Sequence, residues 1–322
     1  MTYTILVTAP KLAPAGTNRL KEAGCRLLYI EDVNSPTEVE NILATQPVDA
    51  VISRTVSLSA AAIRSCPTLK VISKHGVGVS NIDVDAATAR GIPVYVTPGA
   101  NARSVAEMTL GLMFAAARRI NWMDSELRHG RWTRAQDGIQ LAGRTLGLVG
   151  FGQIGQHVAR AALALDMHVA VFDPALSASH GVEGIEVMPD LASLLERSEV
   201  LSLHVPLTTQ TRGLIGAYEL ALLPAEAIVL NTARGEVINE SALIDALSSG
   251  RVFAAGLDTT AQEPIGPDHP FLKLKNVVLS PHVGGSTPAA LAAMSLGAAE
   301  NVIGFLEGQR PDARACVNPE VF

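Results

Sequence analysis

Gly150-x-Gly152-x-x-Gly155 stands directly after the strand-like run TLGLV and directly before the helix-like run QIGQHVARAALAL. In that setting Gly150 permits a tight turn, Gly152 lets backbone approach a pyrophosphate, and Gly155 lets helix and strand pack closely. The positive end of the helix then receives the phosphate charge. Asp173, eighteen residues beyond Gly155 at the end of HVAVFD, stands where a carboxylate takes the ribose hydroxyls. Pro174, Ala175 and Leu176 offer no arginine for an extra 2′-phosphate, so NAD is favoured over NADP. A plain glycine turn followed by a surface Asp is the alternative; spacing and strand context together favour the nucleotide. Three more polar residues follow strand-like runs: Arg234 in NTARG, Glu263 in GLDTTAQEP and His282 in SPHVGG. In a doubly wound sheet such strand ends converge on one crevice.

Short Val/Ile/Leu runs alternate with Ala/Leu-rich segments of helical period throughout, the rhythm of βαβ units around buried parallel sheets. The fold class read from this is α/β, with two doubly wound parallel-sheet domains and a cleft between them. Strands are expected at Thr4–Thr8, Arg26–Ile30, Ala50–Ser53, Leu69–Ser73 and Val94–Thr97 in the first series. The second series is Thr145–Val149, His168–Phe172, Val200–His204, Ala227–Asn231, Ala254–Leu257 and Val277–Ser280. A single long helix is expected over Ser104–Gly130, with Ser104 and Glu107 at capping-box spacing. Another spans Pro288–Glu307, with Thr287 as cap and Gly308 as stop. Residues 1–101 and 288–322 then form one discontinuous domain around an inserted dinucleotide domain, 102–287.

Hydrophobic residues make up 48% and charged residues 17% of 322, enough to build packed cores and far from a disordered composition. With a net charge of −6 and 4% aromatics, no nucleic-acid partner is expected. Cys25, Cys66 and Cys316 lack metal or disulfide spacing, which fits a reducing cytoplasm. The N-terminus enters a strand-like run with no basic, leader-like segment. Apolar stretches such as Met108–Ala117 fall short of the roughly 20 residues that span a bilayer. No membrane partner is expected.

The segments KHGVGVSNID (74–83), NARSVAE (101–107), GFGQIG (150–155), HVPLTTQTRGLI (204–215), NTARG (231–235) and SPHVGGST (280–287) together resemble the D-isomer-specific 2-hydroxyacid dehydrogenases, in particular their phosphoglycerate-dehydrogenase-like branch. The resemblance implies a flavodoxin-like substrate domain and a Rossmann NAD domain. It implies His282 as general acid/base, Glu263 as its carboxylate partner and Arg234 as the guanidinium that holds the substrate. Elementary chemistry agrees. Reduction of a 2-oxo acid puts negative charge on the carbonyl oxygen, which a protonated imidazole within reach can neutralise. A neighbouring carboxylate favours that charged imidazole and fixes its tautomer. The planar fork of an arginine suits a carboxylate beside a carbonyl. Singly, each has a plainer reading: a strand-end histidine, a polar-loop glutamate, a surface arginine.

The resemblance also implies cofactor contacts from Gln153 and Ile154 over the pyrophosphate, Val205 and Pro206 beside the adenosine half, Thr232 near the nicotinamide side, and further contacts from Ala233 and Gly284. Asp258 matches the acid that binds the carboxamide. Thr211 is read either as a pyrophosphate contact or as a turn-capping hydroxyl. On the substrate side, Gly76, Val77 and Gly78 form a loop whose amides could grip a carboxylate. Ser53, Arg54 and Lys74 fall on facing strand ends, and the two cations are read either as holders of an anionic tail or as solvated charge. His75 is a further lining residue or a strand-end histidine. The implied reaction interconverts a small anionic D-2-hydroxy acid and its 2-oxo acid, with D-3-phosphoglycerate/3-phosphohydroxypyruvate first and hydroxypyruvate or glyoxylate next. An NAD(H)-sensing, corepressor-like binding protein is the alternative. A homodimer through about 102–140 is implied, and the apolar Met108–Ala117 run agrees with it. Two departures stand out: Thr259, Thr260 and Ala261 follow Asp258 where Val-Phe-Glu is usual, and Ser80 replaces an Asp. Both are read as local adjustments of packing.

Overall fold

A computed structural model describes residues 2–134, 137–176, 183–309 and 311–322. The chain divides into two compact units, residues 1–101 with 286–322, and residues 102–285. In the first, β1 (Thr4–Val7), β2 (Arg26–Tyr29), β3 (Ala50–Ser53), β4 (Val71–Lys74) and β5 (Val94–Tyr95) alternate with α1 (Pro14–Glu22), α2 (Pro36–Thr45), α3 (Ala60–Ser65) and α4 (Val84–Ala89). They build an all-parallel sheet in the order β2-β1-β3-β4-β5, the flavodoxin-like winding. Strands β3 and β4 are buried along their whole length, as a sheet covered on both faces requires.

The second unit opens with α5 (Ala102–Ala117) and α6 (Ile120–Arg128). It continues through β6 (Thr145–Val149), α7 (Gln153–Leu163), β7 (His168–Phe172), β8 (Ile185–Val187), α8 (Leu191–Leu195), β9 (Val200–Leu203), α9 (Ala217–Leu222), β10 (Ala227–Asn231), α10 (Glu240–Ser248), β11 (Val252–Leu257) and β12 (Val277–Leu279). The sheet runs β12-β11-β10-β9-β6-β7-β8, a doubly wound dinucleotide-type order extended by one strand. The strand order reverses between the parallel neighbours β6 and β9, the switch point at which such sheets bind ligands.

Two sequence expectations are corrected. Seven strands are present where six were read, because the three-residue edge strand β8 pairs with β7 through Val169, Ala170 and Val171 and carries no apolar run of its own. The helix expected over Ser104–Gly130 breaks at Arg119, whose φ is 52°. There the Ile139 amide donates to the Ala117 carbonyl, Arg119 pairs with Asp137 and its guanidinium stacks over Trp122. These long-range contacts outweigh the continuing helical pattern.

The apolar run 108–117 is partly spent on this unit's own core. Leu112, Met113, Ala116 and Ala117 are buried with the sheet residues Leu146, Leu148 and Leu230. Phe114, Ile120, Leu127 and Trp132 stay exposed.

The chain then returns to the first unit through α11 (Pro288–Leu306). By length and composition this helix could cross a membrane, which the reading of ten-residue stretches understated. Ala298, Ala299, Val302 and Ile303 are buried there against Ile5, Val7, Ile52 and Val71. Glu300 pairs with Arg19 at 2.8 Å, and Asn301 donates to the Val96 carbonyl at 3.0 Å.

Candidate active site

The turn after β6 has the geometry that its glycines anticipate. Gly150 sits at φ 93°, and a Cβ there would lie 2.7 Å from the His204 carbonyl oxygen at the end of β9. A Cβ on Gly155 would lie 2.5 Å from the Gly150 oxygen, so helix and turn touch backbone to backbone. Gly152 is the reverse case: nothing lies within 4 Å of where its Cβ would be. It also caps α7 without a side-chain hydrogen bond, so the first-turn amides face that opening. Gln153 is exposed at the head of α7, and Ile154 packs against the core.

Asp173 closes the turn from the neighbouring strand, accepting from the Phe151 amide at 2.8 Å and the Ala175 amide at 2.9 Å. It borders a cavity of about 330 Å³ lined by Phe172, Pro174, Leu176, Val187, Met188 and Pro189. The last three belong to or follow β8, so the overlooked strand supplies one wall. Val205 packs over Gly150. The Thr211 hydroxyl donates to the Pro206 carbonyl at 2.5 Å and accepts from the Thr208 amide at 2.8 Å, the turn-capping of the two readings. An open glycine cradle, an uncapped helix terminus, a carboxylate and an adjoining cavity are together the parts a dinucleotide needs.

Arg234, Glu263 and His282 follow β10, β11 and β12, three adjacent strands in register through Asn231, Leu257 and Leu279. His282 Nδ1 lies 2.7 Å from Glu263 Oε2. With a carboxylate on Nδ1, the donor there is N–H, which leaves Nε2 for a ligand. The Thr260 amide donates to the other Glu263 oxygen at 3.2 Å. Half-burial alone would raise the Glu263 carboxyl. The His282 hydrogen bond and charge, the Thr260 amide and the Arg234 guanidinium outweigh it and hold the group below its ordinary value.

His282 itself is held at φ 52°, a left-handed conformation unusual for a side-chain-bearing residue. What holds it is Asp258. This buried carboxylate accepts from Ser280 Oγ at 2.6 Å, the Val283 amide at 3.0 Å and the Gly284 amide at 2.8 Å. Its backbone carbonyl takes the His282 amide at 2.8 Å. Three of the roughly four acceptor positions on the carboxylate are thus spent on the turn that presents the histidine.

Asn231 performs the same service for Arg234. Its amide group donates to the Arg234 carbonyl at 2.8 Å and accepts from the Ala233 amide at 3.0 Å. The half-buried Arg234 guanidinium bonds the Ala233 carbonyl at 2.6 Å. Beside it the Thr232 and Thr109 hydroxyls are 2.8 Å apart. Since Thr109 donates to the Val105 carbonyl at 2.9 Å, Thr232 is the donor in that pair. Sequence reading missed Thr109, Asn231 and Ser280, whose types are too common for spacing to flag. Thr259 is buried with its hydroxyl unpartnered, and Thr260 bonds the Gln262 carbonyl at 2.8 Å.

In the first unit, Lys74 has two readings from sequence, a holder of an anionic tail or a solvated charge. Its ammonium is buried and bonds the Arg54 carbonyl and Asn81 Oδ1. The Asn81 amide also reaches Ser53 Oγ at 3.1 Å and the Val56 carbonyl at 2.8 Å, so a lysine–asparagine brace fixes the loop after β3. Burying an ammonium demands such partners. The Arg54 guanidinium, by contrast, makes no hydrogen bond or ion pair among the described residues, and burial pushes it below its ordinary value.

His75 is 6% exposed with Nε2 unpartnered. Burial, then the Arg54 charge, push it down to about 4. Gly76, at φ 130°, is clamped by Thr97, whose amide donates to the Gly76 carbonyl at 2.8 Å. Val77 is exposed and Gly78 half-buried beside it. Ser80 is exposed.

Residues 110–284 match the family model described as D-isomer specific 2-hydroxyacid dehydrogenase, NAD binding domain. The D-3-phosphoglycerate dehydrogenase of Methanocaldococcus jannaschii is 40% identical over 308 residues, covering 95% of this chain and 58% of that protein. This chain therefore spans little more than half the length of that relative. A glyoxylate reductase of Korarchaeum cryptofilum is 40% identical over 298 residues, covering 90% of this chain and 89% of that one. The crystal structure of the TT0316 protein from Thermus thermophilus superposes with a TM-score of 0.89 at 35% identity, covering 98% and 99% of the two chains. With the strand order, the glycine turn and the His282–Glu263 pair already in place, these matches make the chain a member of the D-isomer-specific 2-hydroxyacid dehydrogenase family.

Proposed function

We propose that this protein is an NAD-dependent oxidoreductase interconverting a small D-2-hydroxy acid and its 2-oxo acid. The observation that carries the reading is the 2.7 Å contact between His282 Nδ1 and Glu263, on a turn that Asp258 holds. NAD, when bound, supplies or accepts the hydride. In the reducing direction, His282 Nε2 gives its proton to the carbonyl oxygen as negative charge develops there, while the Glu263 carboxylate stabilises the imidazolium before transfer. In the oxidising direction Nε2 takes the hydroxyl proton. Arg234 holds the substrate carboxylate and the adjacent oxygen in its fork.

For the cofactor, the Gly150–Gly155 turn with Gln153 and Ile154 receives the pyrophosphate and Asp173 the ribose hydroxyls. Val205 and Pro206 border the adenosine half, on a loop that the Thr211 hydroxyl caps. Thr232, Ala233, Gly284 and the remaining acceptor position of Asp258 serve the nicotinamide end. The absence of an arginine among Pro174, Ala175 and Leu176 favours NAD over NADP.

Substrate selection is assigned to the unit of residues 1–101 and 286–322, through the Gly76–Gly78 amides and Arg54, with Ser53 and Lys74 acting by bracing Arg54. An unpaired, half-buried guanidinium suits an anionic tail. D-3-phosphoglycerate/3-phosphohydroxypyruvate is therefore the first candidate pair, followed by hydroxypyruvate and glyoxylate. The exposed apolar residues Phe114, Ile120, Leu127 and Trp132 support a homodimer through that segment, and a cytoplasmic setting suits three unpaired cysteines.

Following NADH consumption across a panel of 2-oxo acids, phosphohydroxypyruvate included, tests the reading. His282→Ala is expected to abolish turnover while NADH affinity stays within about threefold. Full turnover in that variant would overturn the assignment.

A further inference from the structure

We propose that Glu240, at the head of α10, is a positioning residue for the acid/base pair and for Arg234, acting through two successive backbone amides, Thr260 and Ala261, the second of which it holds in place. The inference rests on the catalytic reading above. Four observations meet at that stretch of backbone. Glu240 Oε1 accepts from the Ala261 amide at 2.7 Å, while the Thr260 amide donates to Glu263 at 3.2 Å. On the opposite side Gly235, the residue after Arg234, lies so close that a Cβ would be 2.0 Å from the Thr260 carbonyl carbon and 2.2 Å from the Ala261 nitrogen. The fourth concerns what fixes Glu240 itself. His269 Nε2 lies 3.4 Å from Glu240 Oε2, and both side chains are 18% exposed.

The tautomer of His269 follows from its other nitrogen. His269 Nδ1 accepts from the Phe271 amide at 3.3 Å, so Nε2 carries the hydrogen on the side 3.4 Å from the Glu240 carboxylate. A second imidazole–carboxylate pair thus stands behind the first, joined to it by two successive amides. Glu240 also sits in the first turn of α10, where Asn239 is the cap, and there a negative charge suits the helix terminus. That placement accounts for an acid at this position; it does not account for the Ala261 and His269 contacts.

Without the Glu240 acceptor the Ala261 amide loses its partner, and the Thr260–Ala261 peptide is free to turn and to shift the Thr260 Cα that the preceding amide shares. The Thr260 amide then leaves Glu263, whose carboxylate loses one of the groups that hold it low, and the surface behind Gly235 and Arg234 loosens.

The test compares Glu240→Ala and Glu240→Gln with the wild-type protein. Gln keeps an oxygen for Ala261 but presents an amide N–H to the His269 N–H, so its effect is smaller. For Glu240→Ala a fall in kcat of about tenfold to a hundredfold is expected, as for an ångström-scale misplacement. NADH affinity stays within about threefold, and the acid limb of the kcat profile moves to higher pH. Independently of turnover, the His282 Nδ1 proton resonance, identified by its loss in Glu263→Gln, is expected to broaden or vanish in Glu240→Ala.

A folded Glu240→Ala with wild-type kcat, pH limb and resonance overturns the proposal. If that variant does not fold, the same three readouts on Glu240→Gln decide it, unchanged values overturning and a smaller shift in the same sense supporting. A wild-type protein inert on every 2-oxo acid, yet with the resonance lost in Glu240→Ala, would sink the catalytic reading and leave the positioning role standing.

Discussion

Gly235→Ala isolates the dependence of the candidate site on backbone contact, because its backbone is outside the left-handed region and a methyl group is conformationally acceptable there. The cost is purely steric. An added Cβ would stand 2.0 Å from the Thr260 carbonyl carbon, 2.2 Å from the Ala261 nitrogen and 2.3 Å from the Thr260 oxygen. All three are backbone atoms, so no flexible side chain can swing aside. Reaching ordinary contact, about 3.4 Å, requires the loop after β10 to part from the loop after β11 by about 1.4 Å. One loop carries Arg234 and the other Glu263, so the parting changes the spacing of the groups that would hold substrate and support the proton transfer. A misplacement of that size costs roughly 100-fold in rate, and overpacking a close-packed contact costs about 1–3 kcal/mol. For a unit of this size the latter corresponds to a fall in Tm of roughly 2–12 °C. Steady-state kinetics on whichever 2-oxo acid the wild type reduces, with NADH titrated by fluorescence, provides the assay. Since the Gly150 turn is untouched, NADH affinity should change by less than about threefold. A lowered Tm with kcat/KM within threefold of wild type would refute the coupling of the two loops, and an unchanged Tm would refute the contact itself.

Gly152→Ala is the converse case: with nothing within 4 Å of its Cβ, the apo protein should lose less than about 0.5 kcal/mol, while NADH affinity falls tenfold or more because the methyl fills the space a pyrophosphate needs. Equal affinity by fluorescence titration would remove the phosphate from that turn. Stability should also depend on pH through His75 and His204, each held down to about 4 by burial. Because the folded value lies below the unfolded one, about 6.5, the unfolded chain binds the extra proton between them. Stability is then complete above about pH 6.5 and falls as pH drops toward 4, by up to about 3 kcal/mol per histidine. Urea unfolding at pH 7.5 and 5 checks this, and midpoints that do not fall would refute the neutral burial of the pair.

What could be read from sequence was chemistry tied to a rigid local frame. The Gly150 turn was legible because strand, glycines and helix are contiguous, with Gly155 against the Gly150 oxygen and open space beside Gly152. Elements set by distant contacts were not. The edge strand β8 is three residues long and depends on β7 for its existence; the break at Arg119 depends on Asp137 and Ile139. Side-chain destination was hidden for the same reason. Lys74 and Arg54 look alike in sequence, yet one cation is buried in a brace and the other has no partner among the described residues. The difference lies in Asn81, whose carbonyl takes the ammonium.

That contrast bears on how polar residues at strand ends divide their labour. Asn231 ends β10 and Asp258 directly follows β11, beside the candidate catalytic groups, and both are buried. A buried polar group must find partners, and theirs are the backbone amides and carbonyls of the very turns that carry Arg234 and His282. Residues so occupied have little capacity left for a ligand, whereas His282 Nε2 and the Arg54 guanidinium retain theirs. Glu240 belongs with the first group, since both of its oxygens face protein donors. The candidate chemistry of the three strand ends therefore rests on a larger set of buried carboxylates and amides whose work is to hold a few turns still. Substitution of Asn231 or Glu240 should move kcat and pH limbs with little change in cofactor affinity, whereas substitution of Asp258 should weaken both.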